Sequence, residues 1–473
     1  MSIGHLGIRR AAIGRTHSKQ AGRRHGGGRP SARHLGIAAV AAGALVLAAC
    51  GSSGGGTAQK GPHQKVTLTW WTWTANPKSV IKNFEQRYPW IKIPAPPSYG
   101  SGGTFYSKLT TALAAGNGPC VSQVELDHLP QFTQAHDLVD ISAYDAKYAS
   151  DFPAWVWRQV TQGKALYAVP EDIGPMGLMY QPSVLKKYHL PVPATWAAFA
   201  DDAVKLHKAD PAMYLAYFPV NDGDYLEALF WQAGARPYQL LPGGTWKIDV
   251  DGPAEQKVMA YWGNLVSKKA VAVENDFQSE WGHHVGAGMY AAYIGAAWSP
   301  TYEIDEYLTS AHPQTYTVTS MPQWTPGGHA EANWGGSTNA VTKDCPADEV
   351  ADAALFAAYI NTSPSGLSVD ERPATASGGG RGLFPASVKR DQVPEFSAPV
   401  PDFNGHVNAE FAANSADVPT DFEWSPWDTE FTNYVTTQMA AAAAGKESWS
   451  RVLQVTQQQL VSYAKDAGYQ VSG

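Results

Sequence analysis

Val66-Thr67-Leu68-Thr69-Trp70-Trp71-Thr72-Trp73 opens the part of the chain that decides the fold. It is a β-branched and aromatic run that ends near Asn76-Pro77, as a strand entering a turn does. Helical spacing follows at Val80, Ile81, Phe84 and Tyr88, and Pro89 stops it ahead of a second short strand, Trp90 to Ile93. A Gly/Ser loop then leads to a helix around Phe105, Leu109 and Leu113, closed by Gly116, and to an apolar stretch from Val121 to Leu126. Strands alternating with helices imply a parallel sheet covered on both faces, so this region reads as an α/β lobe.

The alternation restarts after Tyr180. A helix capped by Thr195 carries Trp196, Phe199, Ala203 and Leu206 on one face. A short strand near Met213 to Phe218 follows, then a helix through Leu226, Phe230 and Gly234. Met289 to Ile294, Tyr316 to Met321 and Ser337 to Val341 read as later strands. Long helices around Val350, Leu355 and Ala358, and around Trp449, Val452, Leu453, Leu460 and Tyr463, fill the C-terminal third. The restart predicts a second α/β lobe, and 473 residues are ample for two cores.

Residues 1–49 read as an export signal. They hold eight Lys/Arg and no Asp/Glu, then the apolar run Leu35 to Leu47, then Leu47-Ala48-Ala49-Cys50. The run is far short of the roughly 20 residues a membrane-spanning helix needs. Leu47-Ala48-Ala49-Cys50 resembles the bacterial lipobox, which implies diacylglycerol on Cys50 and, behind it, a Gly/Ser tether over 50–65. Arg9-Arg10 and Arg23-Arg24 leave the export route open. The net charge of −7 becomes −15 once the eight leader cations are set aside, which argues against nucleic-acid partners. Cys120 and Cys345 remain after lipidation, either as a disulfide or as two buried thiols.

Enzymatic signatures are sparse. There is no His-Glu-x-x-His, and Gly445-Lys446-Glu447 lacks the rest of a phosphate loop. His283-His284 reads as surface rather than metal ligand. Asn221-Asp222-Gly223-Asp224 has a calcium-like composition without the distal Glu of the usual loop, and reads as a turn. No metal or cofactor is expected. What stands out is tryptophan, seventeen in all. Most must be core, but aromatic plates beside carboxylates also suit a sugar, whose C–H faces stack and whose hydroxyl edges donate.

Several strings in order resemble the bacterial extracellular solute-binding proteins of the maltose-binding type, especially actinobacterial sugar-binding lipoproteins. They are Leu113-Ala114-Ala115-Gly116-Asn117-Gly118-Pro119, Leu138-Val139-Asp140, and Tyr167 through Met176 running into Met179-Tyr180. Pro193-Ala194-Thr195-Trp196, Trp231-Gln232-Ala233-Gly234, Asn333-Trp334-Gly335-Gly336-Ser337 and Gly382-Leu383-Phe384-Pro385 continue the series. The resemblance implies a type II periplasmic-binding-protein fold, two α/β lobes joined by hinge strands with a ligand cleft between them. By analogy the chain crosses near Met179, Pro322 and Gly366, giving lobe 1 as 66–178 plus 322–366 and lobe 2 as 179–321 plus 367–473.

The resemblance also implies a cleft built from Trp73, Glu125 and Asp127, from Glu171 and Asp172, and from Trp334, Gly335 and Gly336, faced by Trp231, Trp298 and Trp424, with Arg372 a further contact. The paired glycines would let a ligand ring approach the backbone. The family usually has Asp where this chain has Cys120, and a bridge to Cys345 within the first lobe would replace its tethering. The implied function is capture of a sugar, an oligosaccharide above all, by a monomer anchored outside the cell, and delivery to the permease subunits of an ATP-driven importer. Two alternatives stand beside it: the same fold holding a non-sugar polar solute, and a secreted glycoside hydrolase.

Overall fold

The computed structural model describes residues 64–74, 77–97, 103–308, 312–371 and 381–472. Cys50, the leader, the tether and Arg372 lie outside the described residues. Among the described residues no helix is long and apolar enough to cross a membrane.

The opening run is two short strands. Val66–Thr67 pairs in parallel with Ile91–Lys92, while β1 (Trp70–Trp71) pairs in parallel with β2 (Val121–Glu125). Between them α1 (Pro77–Arg87) buries Val80, Ile81 and Phe84, the predicted face. The α2 helix (Gly103–Ala114) places Phe105, Leu109 and Leu113 in the same core. These elements form the expected βαβ arrangement.

The central sheet is mixed, not parallel. Its longest strand is β3 (Ala168–Tyr180). With β4 (Ala292–Ala296), β5 (Tyr316–Thr319), β6 (Asn333–Val341) and β7 (Phe403–Asn404) the order runs β7-β5-β3-β6-β2-β1, and β4 also pairs with β3. The expectation of a parallel sheet fails because β3 and β6 run in opposite directions through the middle of the molecule, where antiparallel pairing is the only register open to them.

Ala168–Pro175 of β3 pairs with β6 across a bulge, and Met176–Tyr180 pairs with β4, so the strand changes partner between Pro175 and Met176. The Gln323 carbonyl accepts from the Trp196 amide, and its side chain donates to Glu331 ahead of β6. With α6 (Val350–Thr362), α7 (Pro364–Glu371) packs on α1, and beyond it Arg381 is buried against Thr74 and Glu171. Phe384 and Ala386 still bond to the backbone of β3.

The second half is organised around α3 (Trp196–Ala209), with Thr195 as N-cap accepting from the Ala198 amide, and α4 (Gly223–Gln232). Tyr217–Pro219 and Ala272–Glu274 form a parallel pair beside them. Trp196, Phe199, Phe218 and Trp262 pack edge to face or stacked, so many of the tryptophans serve as core, as expected. The α5 helix (Pro253–Ser267), α8 (Val407–Ala416), α9 (Asp428–Ala443) and α10 (Trp449–Asp466) complete this side. Cys120, just before β2, is disulfide-bonded to Cys345, just after β6. A crosslink spanning 225 residues removes chain entropy from the unfolded state worth about 5 kcal/mol in the loop-closure account.

Candidate functional site

The two central strands create the site where they change partners. Asn333 pairs with Pro175 and Gly336 with Ile173, so Trp334 and Gly335 together oppose Gly174 in a β-bulge. Gly335 and Gly336 take φ values of +69° and +104°, left-handed conformations that favour glycine. The bulge turns Trp334 toward the second half, where its ring lies 4.6 Å from that of Trp298 and 5.1 Å from Tyr225. Trp298 Nε1 donates to the Trp334 carbonyl at 3.1 Å, and the Trp334 indole N–H bonds to Asp222. A Cβ on Gly174 would run into that same carbonyl, so the absence of a side chain there lets the two walls meet.

Phe277, unremarked in the sequence, completes the aromatic wall. It is 44% exposed, with its ring 6.2 Å from Trp298 and 6.3 Å from Trp334. Its φ of +56° is a costly conformation for an aromatic residue. Reciprocal bonds hold it there: Asn221 Nδ2 donates to the Asp276 carbonyl and the Asp276 amide donates to Asn221 Oδ1. No helical or strand periodicity would have singled out Phe277. Only its place between Asp276 and the helix over 279–286, in a loop, marks it.

On the first half, Trp73 follows β1 and packs edge-on against Phe105, 4.9 Å between centroids. Glu125, the last residue of β2, accepts from the Tyr106 hydroxyl at 2.8 Å. Burial and the charge of Asp127 push its carboxyl up to about 7. Tyr106 stacks on His128 at 3.8 Å. Asp127 is 2% exposed and takes the His128 amide at 2.9 Å. Burial disfavours its charge, but the adjacent His128 holds its carboxyl below the usual range. Asp172 accepts from the backbone and hydroxyl of Ser337. Burial first and then the charge of Glu171 raise it to about 6.

Four expected contacts have other duties. Glu171 is fully buried and paired with Arg381, which also reaches Asp370 at 3.1 Å and the Thr72 and Thr74 hydroxyls. It neutralises a buried cation and is not available to a ligand. Trp231 stacks on Phe422 at 4.1 Å and meets Trp424 edge-on at 4.4 Å; both indoles are core of the second half because α4 turns that face inward. Gly336 is required by its φ and by the Asp172 carbonyl, 2.9 Å from where its Cβ would sit, rather than by ligand approach. Sequence reasoning also missed Arg381, whose one signal is its place beside the Gly382-Leu383-Phe384-Pro385 string.

The structure therefore brings together Trp73, Glu125, Asp127, Asp172, Trp298, Trp334 and Gly335. An α/β molecule whose sheet is shared by two halves, with aromatic rings and carboxylates where they meet, has the architecture of a protein that holds a small polar ligand between lobes. Residues 70–365 match the bacterial extracellular solute-binding protein family, and the chain belongs to that family. Its fold is the two-lobed type II periplasmic-binding-protein arrangement. A binding protein of an ABC transporter from B. animalis subsp. lactis Bl-04, solved with beta-1,6-galactobiose, superposes with a TM-score of 0.74. The two are 23% identical, over 86% of this chain and 99% of that one. The galacto-N-biose-/lacto-N-biose I-binding protein of Bifidobacterium longum gives a TM-score of 0.75 at 19% identity, over 86% and 99%. The arabinooligosaccharide-binding protein of Bacillus subtilis (strain 168) is 21% identical over 334 residues, 68% of this chain and 74% of that protein.

Proposed function

We propose that this chain captures a sugar, an oligosaccharide above all, outside the cell and delivers it to the permease of an ABC importer, as a monomer held to the membrane by a lipid on Cys50. Half-exposed Phe277, packed on Trp298 and backed by the buried Trp334, carries the reading, since such an aromatic face matches the C–H face of a pyranose ring. Glu125 and Asp172 supply acceptors for hydroxyl edges. The solved relatives with bound saccharides support the same cargo.

The cycle is hinge closure. The chain bends where it crosses between the lobes, near Met179, Pro322 and Gly366. A ligand that moves the population from 1:99 to 99:1 closed must prefer the closed form by about 5.5 kcal/mol, and contacts from both lobes supply that preference. No bond in the sugar is broken; formation of reducing ends from an oligosaccharide would contradict this.

The test is thermal unfolding of the chain without its leader against mono-, di- and trisaccharides. Ligand at about 100 times its Kd adds about 2.7 kcal/mol. A shift confined to one sugar class and lost in Trp298→Ala is expected; a flat response to every sugar would transfer the assignment to a non-sugar polar solute. Retention of the chain in the membrane fraction, lost in Cys50→Ser, tests the anchor.

A further inference from the structure

Asn221-Asp222-Gly223-Asp224 is more than a turn. Asp222 caps α4 by accepting from the Tyr225 amide at 2.7 Å, which sets Asp224 in the first turn of that helix. Asp428 occupies the first turn of α9. Both meet Asp127 from the end of β2, and one carboxylate oxygen of each of the three lies within 4.8 Å of the others. Asp127 belongs at the same time to a second such group, with Glu125 and His128.

Acidic residues gather on many surfaces without a ligand, but Asp127 and Asp428 are buried and Asp224 is partly so. Asp428 is 4% exposed, and its Oδ1 and that of Asp224 are buried with no hydrogen-bond donor. An orphaned buried acceptor is costly unless a hydrogen-bond donor or a cation satisfies it. The strongest charges acting on Asp224 are all negative: Asp428, Asp127, Asp222 and Glu227.

We propose that Asp127, Asp224 and Asp428 form a site for one divalent cation, calcium, that ties the end of β2 in the first lobe to the first turns of α4 and α9 in the second. Three carboxylate oxygens are hard ligands, the class that selects calcium, magnesium or manganese over softer metals. Calcium bonds of about 2.3–2.6 Å span an oxygen separation of up to about 5 Å, which accommodates this group, whereas the tighter shell of magnesium, at about 2.0–2.1 Å, draws ligands closer. His128, ion-paired with Asp127 at 3.0 Å, supplies one positive charge at the edge of the group and none to the buried oxygens of Asp224 and Asp428; the alternative partner for those is a hydroxyl or an ammonium of the sugar itself. Burial of Asp127 and Asp428 favours a monatomic ion, because an amine brings its ring with it.

Bound across the lobes, the ion acts as a latch. It favours the closed form that also holds the sugar, so the two ligands must strengthen each other by the same factor. The site itself does not depend on the sugar assignment, and calcium alone is the probe.

The purified chain, stripped with EGTA and returned to chelator-free buffer, is titrated with Ca2+ by calorimetry and thermal unfolding without sugar. One ion per chain and a rise in Tm are expected, with Mg2+ weaker. Asp224→Asn and Asp428→Asn each weaken binding by more than about tenfold, about 1.4 kcal/mol. Because each substitution removes a repelling charge, both variants are expected to fold in EGTA with a Tm no lower than the parent, which separates a lost ligand from a lost fold. Absence of any response up to about 10 mM Ca2+, above the millimolar range of extracellular calcium modules, overturns the proposal, as does undiminished binding in both variants. Stabilisation by glucosamine oligomers but not by Ca2+, lost in Asp428→Asn, also overturns it and assigns the carboxylates to a cationic sugar. Where a sugar responds, its Kd falls in Ca2+ by the factor by which the Kd of Ca2+ falls in sugar; independence of the two overturns the latch.

Discussion

Replacing Phe277 by alanine isolates one face of the proposed sugar site with little disturbance to the fold. A phenylalanine offers about 150–250 Å² for burial. Since 44% of this one remains exposed, about 90 Å² is free for a ligand to cover. At about 25 cal/mol per Å² that is about 2 kcal/mol, and a ring that covers half of it loses about 1 kcal/mol. The expected rise in Kd is therefore about 5- to 30-fold, measured by calorimetry with the saccharide that responds in the thermal screen. The backbone sharpens the test. Phe277 sits at φ +56°, a conformation that costs a non-glycine residue about 1–2 kcal/mol. Alanine keeps that cost and glycine removes it at the expense of unfolded-state entropy. Phe277→Gly should then unfold no earlier than the parent while binding as poorly as Phe277→Ala. That pairing marks a residue held in strain for its ligand rather than for stability. Sugar affinity within twofold of the parent in both variants would refute the aromatic wall as drawn.

Arg381→Met leaves Glu171 and Asp370 buried without their cation and should lower stability in urea by about 3–5 kcal/mol, the usual cost of breaking a buried pair; a loss under about 1 kcal/mol would show the network to be dispensable. Gly174→Ala forces the Trp334 carbonyl and Trp298 Nε1 apart, with an overpacking cost of about 1–3 kcal/mol and a weaker sugar response in the same thermal assay. Burial, and then the charge of Asp417, raises Glu331 to about 8. Its protonated form is the one the fold prefers, so its contribution is complete below the ordinary carboxylate range and is lost as pH rises through about 8. Tm should fall between pH 6 and pH 9, and Glu331→Gln should flatten that fall; an equal slope in the variant would locate the titration elsewhere.

What the sequence made legible follows from how locally each feature is encoded. The helix capped by Thr195, the βαβ opening and the strand at Ser337 to Val341 rest on spacing within a dozen residues, and all are present. The mixed sheet was not legible. The direction of β6 relative to β3 depends on partners some 160 residues apart, and both strands are too thoroughly buried to alternate. The aromatic assignments divide the same way. Trp298 and Trp334 lie in irregular stretches, a loop and a bulge, and pack on each other. Trp231 lies on a regular helix whose inward stripe runs through Leu226 and Phe230, and so belongs to the core.

Carboxylates are harder to read than tryptophans, because one residue type serves three purposes in this molecule and burial alone does not separate them. Glu171, Asp172 and Asp127 are all nearly inaccessible, and all carry family resemblance. Their partners distinguish them. Glu171 meets a guanidinium and is neutralised by it; Asp172 meets the backbone and hydroxyl of a serine on the next strand. Asp127 meets two more carboxylates, from the first turns of α4 and α9. Those partners arrive from Arg381, Ser337 and Asp428, far along the chain in every case, so no local pattern can encode them. The Asn221-Asp222-Gly223-Asp224 segment is the exception that proves useful. Its composition suggested a cation from the sequence, the missing distal Glu argued against one, and the fold offers in place of that Glu an aspartate from another helix and another from another lobe. A loop that looks incomplete in one dimension is completed in three, and a site divided between lobes can report whether they are closed in a way that a contiguous calcium loop cannot.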